Sequence, residues 1–136
     1  SSGSHAYALH NLDDRGGNFT PDGVNGVQRK PEETDEDFKS RVLDDIQKSY
    51  DLIEENVGAA PVFFAYPFGL TEPDADGLIR DLFPVTAVTL TGTAELSDGL
   101  YGLHRYTVTM DRTLKSILQP PLKAVLKSKI KEFLGR

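Results

Sequence analysis

The heptapeptide Phe63-Phe64-Ala65-Tyr66-Pro67-Phe68-Gly69 is an apolar run that ends abruptly in a turn. Pro67 fixes its own φ angle and lacks an N–H donor, and Gly69 accepts backbone conformations that other residues resist. The pattern predicts a strand over residues 62–66 that is buried on both faces, with its carboxyl end bent into a special loop. Because α/β proteins place their chemistry at the carboxyl ends of strands, this loop is a candidate site.

A long amphipathic helix is predicted just before this run. Thr34 is a good N-cap, and the three acidic residues that follow it suit the positive end of the helix dipole. Gly58 has the residue type that commonly ends a helix. Apolar residues recur at three- and four-residue spacing between these ends and predict one buried stripe: Phe38, Val42, Ile46, Tyr50, Ile53 and Val57.

Helices and strands alternate along the rest of the chain. A second helix is predicted from about Thr71 to Leu82, with Pro73 in its first turn. Strands are predicted over 85–90 and 102–109, followed by helical segments to the C-terminus. This order predicts an α/β fold with mostly parallel strands.

The composition suits one domain over residues 1–136, and it restricts the partners. A net charge of −6 argues against a nucleic-acid platform, and the absence of cysteine excludes disulfides and thiolate metal sites. No apolar run approaches the roughly 18–20 residues of a membrane span. Residues 11–33 are predicted to form a long loop, and 120–136 an amphipathic helix that covers the domain rather than a membrane surface. No pattern indicates an oligomeric state.

Two histidines, His5 and His10, lie beside a second short apolar run and form a candidate metal pair for the same face. Imidazole nitrogen is a good ligand for Zn²⁺ and similar ions. Two alternatives stay open from the residues alone. Both histidines could be ordinary surface residues, or Ser1–Ser4 and His5 could come from an expression tag. Asp13 and Asp14, in the Gly-rich loop that follows, fit a solvated turn better than a metal site.

Three segments together resemble the polysaccharide deacetylases, the NodB-homology group that forms carbohydrate esterase family four. Ser4–His10 is similar to that family's second motif, which carries two metal-binding histidines. Phe64–Gly69 is similar to its third motif, written F-A-Y-P-Y-G in one branch, and Leu100–Val108 resembles that branch's closing strand. The resemblance covers roughly residues 4–118. The family's opening strand, which ends in a T-F-D-D-like motif, has no counterpart in this sequence.

The resemblance implies a partial or distorted (β/α) barrel of the NodB-homology type, with the first strand or strands missing. It implies a divalent metal, with zinc as the first candidate, bound by His5 and His10. The family's third ligand is an Asp of the missing motif, so the metal site is incomplete in this sequence. A location outside the cytoplasm, at the cell wall or cell surface, is implied for the intact protein.

The same resemblance assigns roles around the predicted loop. Tyr66, Pro67, Phe68 and Gly69 are expected to line the sugar groove, and the backbone N–H of Phe68 to stabilise an oxyanion. Arg105 is expected to orient a catalytic or substrate group. His104 is expected to be a groove or surface residue rather than the general acid.

The implied function is that of a metal-dependent hydrolase that removes N-acetyl or O-acetyl groups from a polysaccharide or amino-sugar polymer. Because the Asp-Asp motif is missing, the chain is expected to be inactive by itself. The alternative is a non-catalytic carbohydrate-binding or assembly module that keeps the groove without the chemistry.

Overall fold

The structure is a computed structural model that describes residues 2–9, 26–90 and 99–106, with ten single positions besides. His10, most of the predicted loop 11–33 and most of the predicted helix 120–136 lie outside the described residues. The assignment of residues 1–136 to a single domain therefore stays a prediction. The ten single positions are 92, 94, 97, 113, 115, 126, 129, 130, 133 and 134.

The described residues form one four-stranded parallel sheet with the strand order β1-β2-β3-β4. The strands are β1 (Gly3–Ser4), β2 (Phe63–Ala65), β3 (Val85–Val88) and β4 (Leu103–His104). Parallel neighbours need crossover connections, and helices supply the first two of them. The predicted α/β fold is thus confirmed. Gly3 and Ser4 pair with Phe63 and Phe64, so they belong to the sheet.

Helix α1 (Asp35–Val57) begins and ends where the capping residues predict. The Thr34 side chain accepts a hydrogen bond from the Asp37 N–H at 3.2 Å. Gly58 adopts a φ of 74° and donates its N–H to the Glu54 carbonyl at 2.8 Å. Both ends are therefore determined by local chemistry.

The predicted apolar stripe of α1 is only partly buried. Phe38, Val42 and Ile46 are fully buried, but Val57 is 61% exposed. The polar Ser49, which is not part of the predicted stripe, is also buried. The prediction was wrong at the last turn because no described element covers Val57 there. Neither α1 nor α2 (Pro73–Leu82), the two long helices of the described part, is apolar enough to cross a bilayer.

The core lies between one face of the sheet and the two helices. Phe64 and Tyr66 of the central segment point into it, and alternation along β2 sends Phe63 to the opposite face. Val62 and Phe63 are 39% and 38% exposed, so the prediction of a strand buried on both faces was wrong. The helices add their own buried side chains to the Phe64 side: Phe38, Val42, Ile46, Ala75 and Ile79.

The turn before α1 is held by a partly buried ion pair between Arg41 and Glu33. Arg41 donates from Nε to Glu33 Oε1 at 2.7 Å and from Nη2 to the Gln28 carbonyl at 2.9 Å. Glu33 also accepts from the Lys30 N–H at 3.0 Å. Because one side chain of α1 bonds both ends of the 28–33 segment, this segment is fixed against the helix.

Because of the Glu33–Arg41 pair, the fold is expected to lose stability in acid. The hydrogen bond from Arg41 lowers the pKa of Glu33 from 4.5 to about 2. A carboxyl whose folded pKa is depressed stabilises the fold above its unfolded pKa, and the gain disappears as the pH falls through the folded value. Glu33→Gln is expected to cost about 1.5–3 kcal/mol at neutral pH, as for hydrogen bonds to charged groups, and progressively less from pH 4.5 to 2.

Urea denaturation of wild type and Glu33→Gln across pH 2–7 measures this difference. Glu55→Gln, on the exposed surface of α1, is the matched control and should show little difference at any pH. A stability difference for Glu33→Gln that stays constant down to pH 2 would contradict the assigned pKa direction.

Candidate functional site

The loop that follows β2 lies at the carboxyl edge of the sheet, as the sequence predicts. Tyr66 continues the pairing with β3 through its N–H, which donates to the Ala87 carbonyl at 2.9 Å. The chain then closes a short 3₁₀ turn over Pro67–Gly69, with the Gly69 N–H donating to the Tyr66 carbonyl at 3.0 Å. The apolar strand therefore ends in a tight turn rather than running on.

Two consecutive residues of this turn adopt left-handed backbone conformations. Phe68 has a φ of 56° and Gly69 a φ of 68°, and the former is rare for a residue with a side chain. The Thr89 hydroxyl, just past β3, donates to the Phe68 carbonyl at 3.0 Å. The end of β3 thus supports the strained conformation, and the Phe68 ring is left 44% exposed.

Gly69 has no room for a side chain. A Cβ added there would lie 1.9 Å from Thr89 Oγ1 and 2.7 Å from the Thr89 nitrogen. Gly69→Ala is expected to cost roughly 1–3 kcal/mol through overpacking. The left-handed backbone adds about 1–2 kcal/mol for a residue that carries a Cβ. A lower urea midpoint with an unchanged slope would report this loss.

Gly77→Ala is the matched control for Gly69→Ala. A Cβ at Gly77, within α2, would meet nothing within 4 Å. Replacing a mid-helix glycine by alanine should stabilise the fold by roughly 0.5–1 kcal/mol, so the two substitutions are expected to have opposite signs. Equal midpoints for Gly69→Ala and wild type would show that the turn is not tightly held.

The Tyr66 side chain points into the core, away from the loop surface. It is fully buried, and its hydroxyl donates a very short hydrogen bond to Asp76 of α2. Burial, followed by the nearby Asp76 carboxylate, raises the pKa of Tyr66 well above its usual value, so the phenol stays protonated. Asp76 also pairs with Arg80 at 2.6 Å, and Arg80 stacks over the Tyr101 ring at 4.5 Å. These contacts tie the loop to α2 and to the turn before β4.

A histidine and an arginine side chain bind adjacent backbone carbonyls at the end of β2. His5 Nδ1 lies 2.5 Å from the Ala65 oxygen, and Arg105 Nη2 donates to the Tyr66 oxygen at 3.2 Å. The structure therefore brings together His5, the 66–69 loop and Arg105, which the sequence predicts as parts of one site. Burial lowers the pKa of the Arg105 guanidinium, and its Nε is buried without a hydrogen-bond partner among the described residues.

The hydrogen bond of His5 determines which ring nitrogen is suited to bind a cation. A carbonyl oxygen can only accept, so Nδ1 must carry the proton in this contact. The neutral ring then holds its lone pair on Nε2, the arrangement common in metal-binding histidines whose other nitrogen donates to a carbonyl. His5 therefore fits a metal ligand. Within the described residues no group of three or more His, Cys, Asp or Glu side chains could hold a metal ion.

The remaining predicted site residues differ in their burial, and some of them lie outside the described residues. Pro67 is buried, so of the predicted groove residues only Phe68 and Gly69 present surface. His104, on β4, is half-buried and packs where a Cβ at Gly92 would meet its ring. His10, Asp13 and Asp14 lie outside the described residues. Asp76 was not predicted, because one carboxylate on an acidic helix has no distinguishing pattern.

Comparison with solved structures identifies the class of fold. No description of a known protein family matches the chain, and neither does any curated protein. The sheet and helices superpose on deacetylases, so the chain has the NodB-like polysaccharide deacetylase fold that its motifs indicate.

Three solved structures carry this likeness. A de-N-acetylase from Aggregatibacter actinomycetemcomitans is 18% identical with a TM-score of 0.63, over 86% of this chain and 46% of its own. The Streptococcus pyogenes deacetylase PplD, in complex with acetate, is 18% identical with a TM-score of 0.54, over 71% and 41%. IcaB from Ammonifex degensii is 20% identical with a TM-score of 0.53, over 89% and 45%. The chain spans less than half the length of each of these proteins.

Proposed function

We propose that this chain is part of a metal-dependent deacetylase that removes N-acetyl or O-acetyl groups from a polysaccharide outside the cytoplasm. The observation that carries the proposal is the convergence at the end of β2. His5 and Arg105 bind the neighbouring carbonyls of Ala65 and Tyr66 there, where the strained 66–69 turn begins. The fold shared with known deacetylases supports this assignment.

His5 and His10 are the proposed ligands of a divalent cation, with zinc as the first candidate. His5 suits this role because its Nδ1 contact to Ala65 leaves Nε2 with the lone pair. A bound divalent metal supplies polarisation of the acyl carbonyl and a water of lowered pKa. Residues 1–136 contain no recognisable motif for the carboxylates of a third metal ligand and a general base.

The strained turn and Arg105 have separate proposed roles. The backbone N–H of Phe68 donates to the oxyanion that develops when the acyl carbonyl is attacked, and a rigid donor is effective because it need not reorganise. Thr89 and Gly69 keep that donor in place through the contacts at the end of β3. The half-exposed Phe68 ring offers an apolar surface to a sugar ring, and Arg105 orients the loop through the Tyr66 carbonyl.

A zinc titration followed by NMR of the histidine rings tests the proposal. The chain is expected to bind Zn²⁺ weakly, with shifts at His5 and His10, since only two ligands are provided. His5→Ala and His10→Ala should each abolish binding, whereas the control His104→Ala should not. Zinc-induced shifts absent from His5 would overturn the metal assignment. Tight stoichiometric binding that His10→Ala abolishes would instead reveal an unrecognised third ligand.

A further inference from the structure

The hydroxyl of Tyr66 joins the 66–69 turn to helix α2, where it donates to Asp76 Oδ1. The backbone of Tyr66 is held from two other directions. Its N–H donates to the Ala87 carbonyl of β3 at 2.9 Å, and Arg105, just after β4, donates to its carbonyl at 3.2 Å. Contacts from α2, β3 and the end of β4 therefore meet on the residue at which the turn begins.

The Asp76 carboxylate is itself held in place by a second partner. Its other oxygen, Oδ2, lies 2.6 Å from Arg80 Nη2, four residues along the same helix face. The Arg80 guanidinium in turn lies 4.5 Å from the centroid of the Tyr101 ring. Because both carboxylate oxygens are engaged, the carboxylate has one orientation, and it holds the Tyr66 hydroxyl by a charge-assisted hydrogen bond.

The turn needs such support because its backbone is strained. Phe68, two residues after Tyr66, has a φ of 56°, and a side-chain-bearing residue persists in this region only where its surroundings hold it there. Thr89 donates to the Phe68 carbonyl at 3.0 Å from the side of β3. Asp76 holds the start of the same turn from the side of α2, so the strained residue lies between two anchors.

Loss of the Asp76 carboxylate is expected to be felt at the turn because the Tyr66 ring is fully buried. A buried hydroxyl that has lost its acceptor is driven to find another acceptor or to reach water. Either outcome requires the ring to shift. Since the Phe68 N–H follows that ring by two residues, a shift of the ring changes the direction in which this N–H points.

We propose that Asp76 is a positioning residue that sets the orientation of the 66–69 turn for an acetylated amino sugar. It acts through the Tyr66 hydroxyl and does not touch the sugar, because both of its oxygens bind protein groups. The inference rests on the proposed function, since it takes the Phe68 N–H as the donor to the acyl group. It requires no metal ion, because every contact that carries it joins described residues.

The test compares Asp76→Ala and Tyr66→Phe, singly and together, in the 136-residue chain. Asp81→Ala is the matched control, because Asp81 is exposed on α2 and its replacement makes the same charge change as Asp76→Ala. The probe is a trisaccharide of N-acetylglucosamine, titrated at a temperature where circular dichroism shows every variant to be folded. Amide NMR shifts of residues 68–70 give the dissociation constant, and hydrogen exchange at Gly69 gives the protection of the turn.

Asp76→Ala and Tyr66→Phe are expected to have the same effect, because each removes the same hydrogen bond. The exchange rate at Gly69 and the trisaccharide dissociation constant should each rise about 2–10-fold, the range for one hydrogen bond of ordinary strength. The double variant should bind no more weakly than either single variant, as for two residues that act as one unit. A purely structural role of Asp76 would instead lower stability and leave the trisaccharide affinity of the folded variants unchanged.

Asp76→Asn keeps a neutral oxygen acceptor for the hydroxyl, so its affinity should lie between those of wild type and Asp76→Ala. It also serves where Asp76→Ala does not fold. Additive losses of affinity in the double variant would overturn the inference, since Asp76 would then act by a route other than the Tyr66 hydroxyl. An equal loss in Asp81→Ala would also overturn it, because the effect would be one of net charge.

The wild-type titration separates failure of this inference from failure of the proposed function. If the trisaccharide shifts no amide of residues 68–70 in wild type, the turn does not bind the sugar, and its proposed role and the inference both fail. If wild type binds and Asp76→Ala loses the protection of Gly69 but keeps its affinity, the turn retains its proposed role and the positioning role of Asp76 fails.

Discussion

The 136-residue chain is expected to release no measurable acetate from chitin-like oligomers, even with Zn²⁺ present. Under the proposed function only His5 and His10 would bind the metal, and no strand-end Asp-Asp motif is recognisable in the sequence. Loss of a general base alone typically lowers the rate by about 10²–10⁴-fold, and an incomplete ligand set lowers it further. An enzyme-coupled assay for acetate measures this release.

A longer version of the protein that carries such an aspartate motif is the matched comparison. Its activity should depend strongly on His5 and His10 and little on His104, which the structure places on β4. Acetate release by the 136-residue chain at a comparable rate would contradict the prediction. The missing carboxylate would then have to be sought among Asp13, Asp14 and Asp22.

Phe64→Ala is expected to cost about 3–5 kcal/mol of unfolding free energy, the range for truncation of a buried Phe. Phe64 is fully buried at the centre of the sheet. Its ring centroid lies 5.4 Å from that of Tyr66 and 5.3 Å from that of Phe83. The truncation therefore removes a ring that supports the site tyrosine as well as the core. Urea denaturation followed by circular dichroism measures the loss.

Phe63→Ala, one residue earlier, makes the same chemical change on the opposite face of β2. Its ring is 38% exposed and covers Gly3, so a smaller loss is expected. Equal losses for the two variants would mean that the sheet has no preferred core face in solution, contrary to the structure.

The local features of the fold were predictable from short-range chemistry. The ends of α1 depend on Thr34 and Gly58, which bond within four residues of themselves. The 66–69 turn follows from Pro67 and Gly69, because the backbone preferences of these residue types do not depend on distant contacts. The alternation of helices and strands indicated the parallel α/β sheet, and the ordered motifs indicated the deacetylase fold.

The wrong predictions concern burial, which depends on what packs against a residue. Apolar side chains at Val57 and Phe63 continue a good pattern, but the structure places them at the end of α1 and on the far face of β2. Periodicity shows which residues share a face, and it cannot show how far a covering element extends.

The amino-acid sequence by itself determined the ends of α1 and the turn after β2, and it predicted which residues form the candidate site. Tertiary structure alone decided how these residues are held: Arg105 binds the Tyr66 carbonyl across 39 positions, and Asp45 binds the Tyr7 N–H across 38. Such partners depend on strand order, register and the face on which α1 docks. A single carboxylate or guanidinium has no periodic signal, so its partner becomes evident only when the whole sheet is assembled.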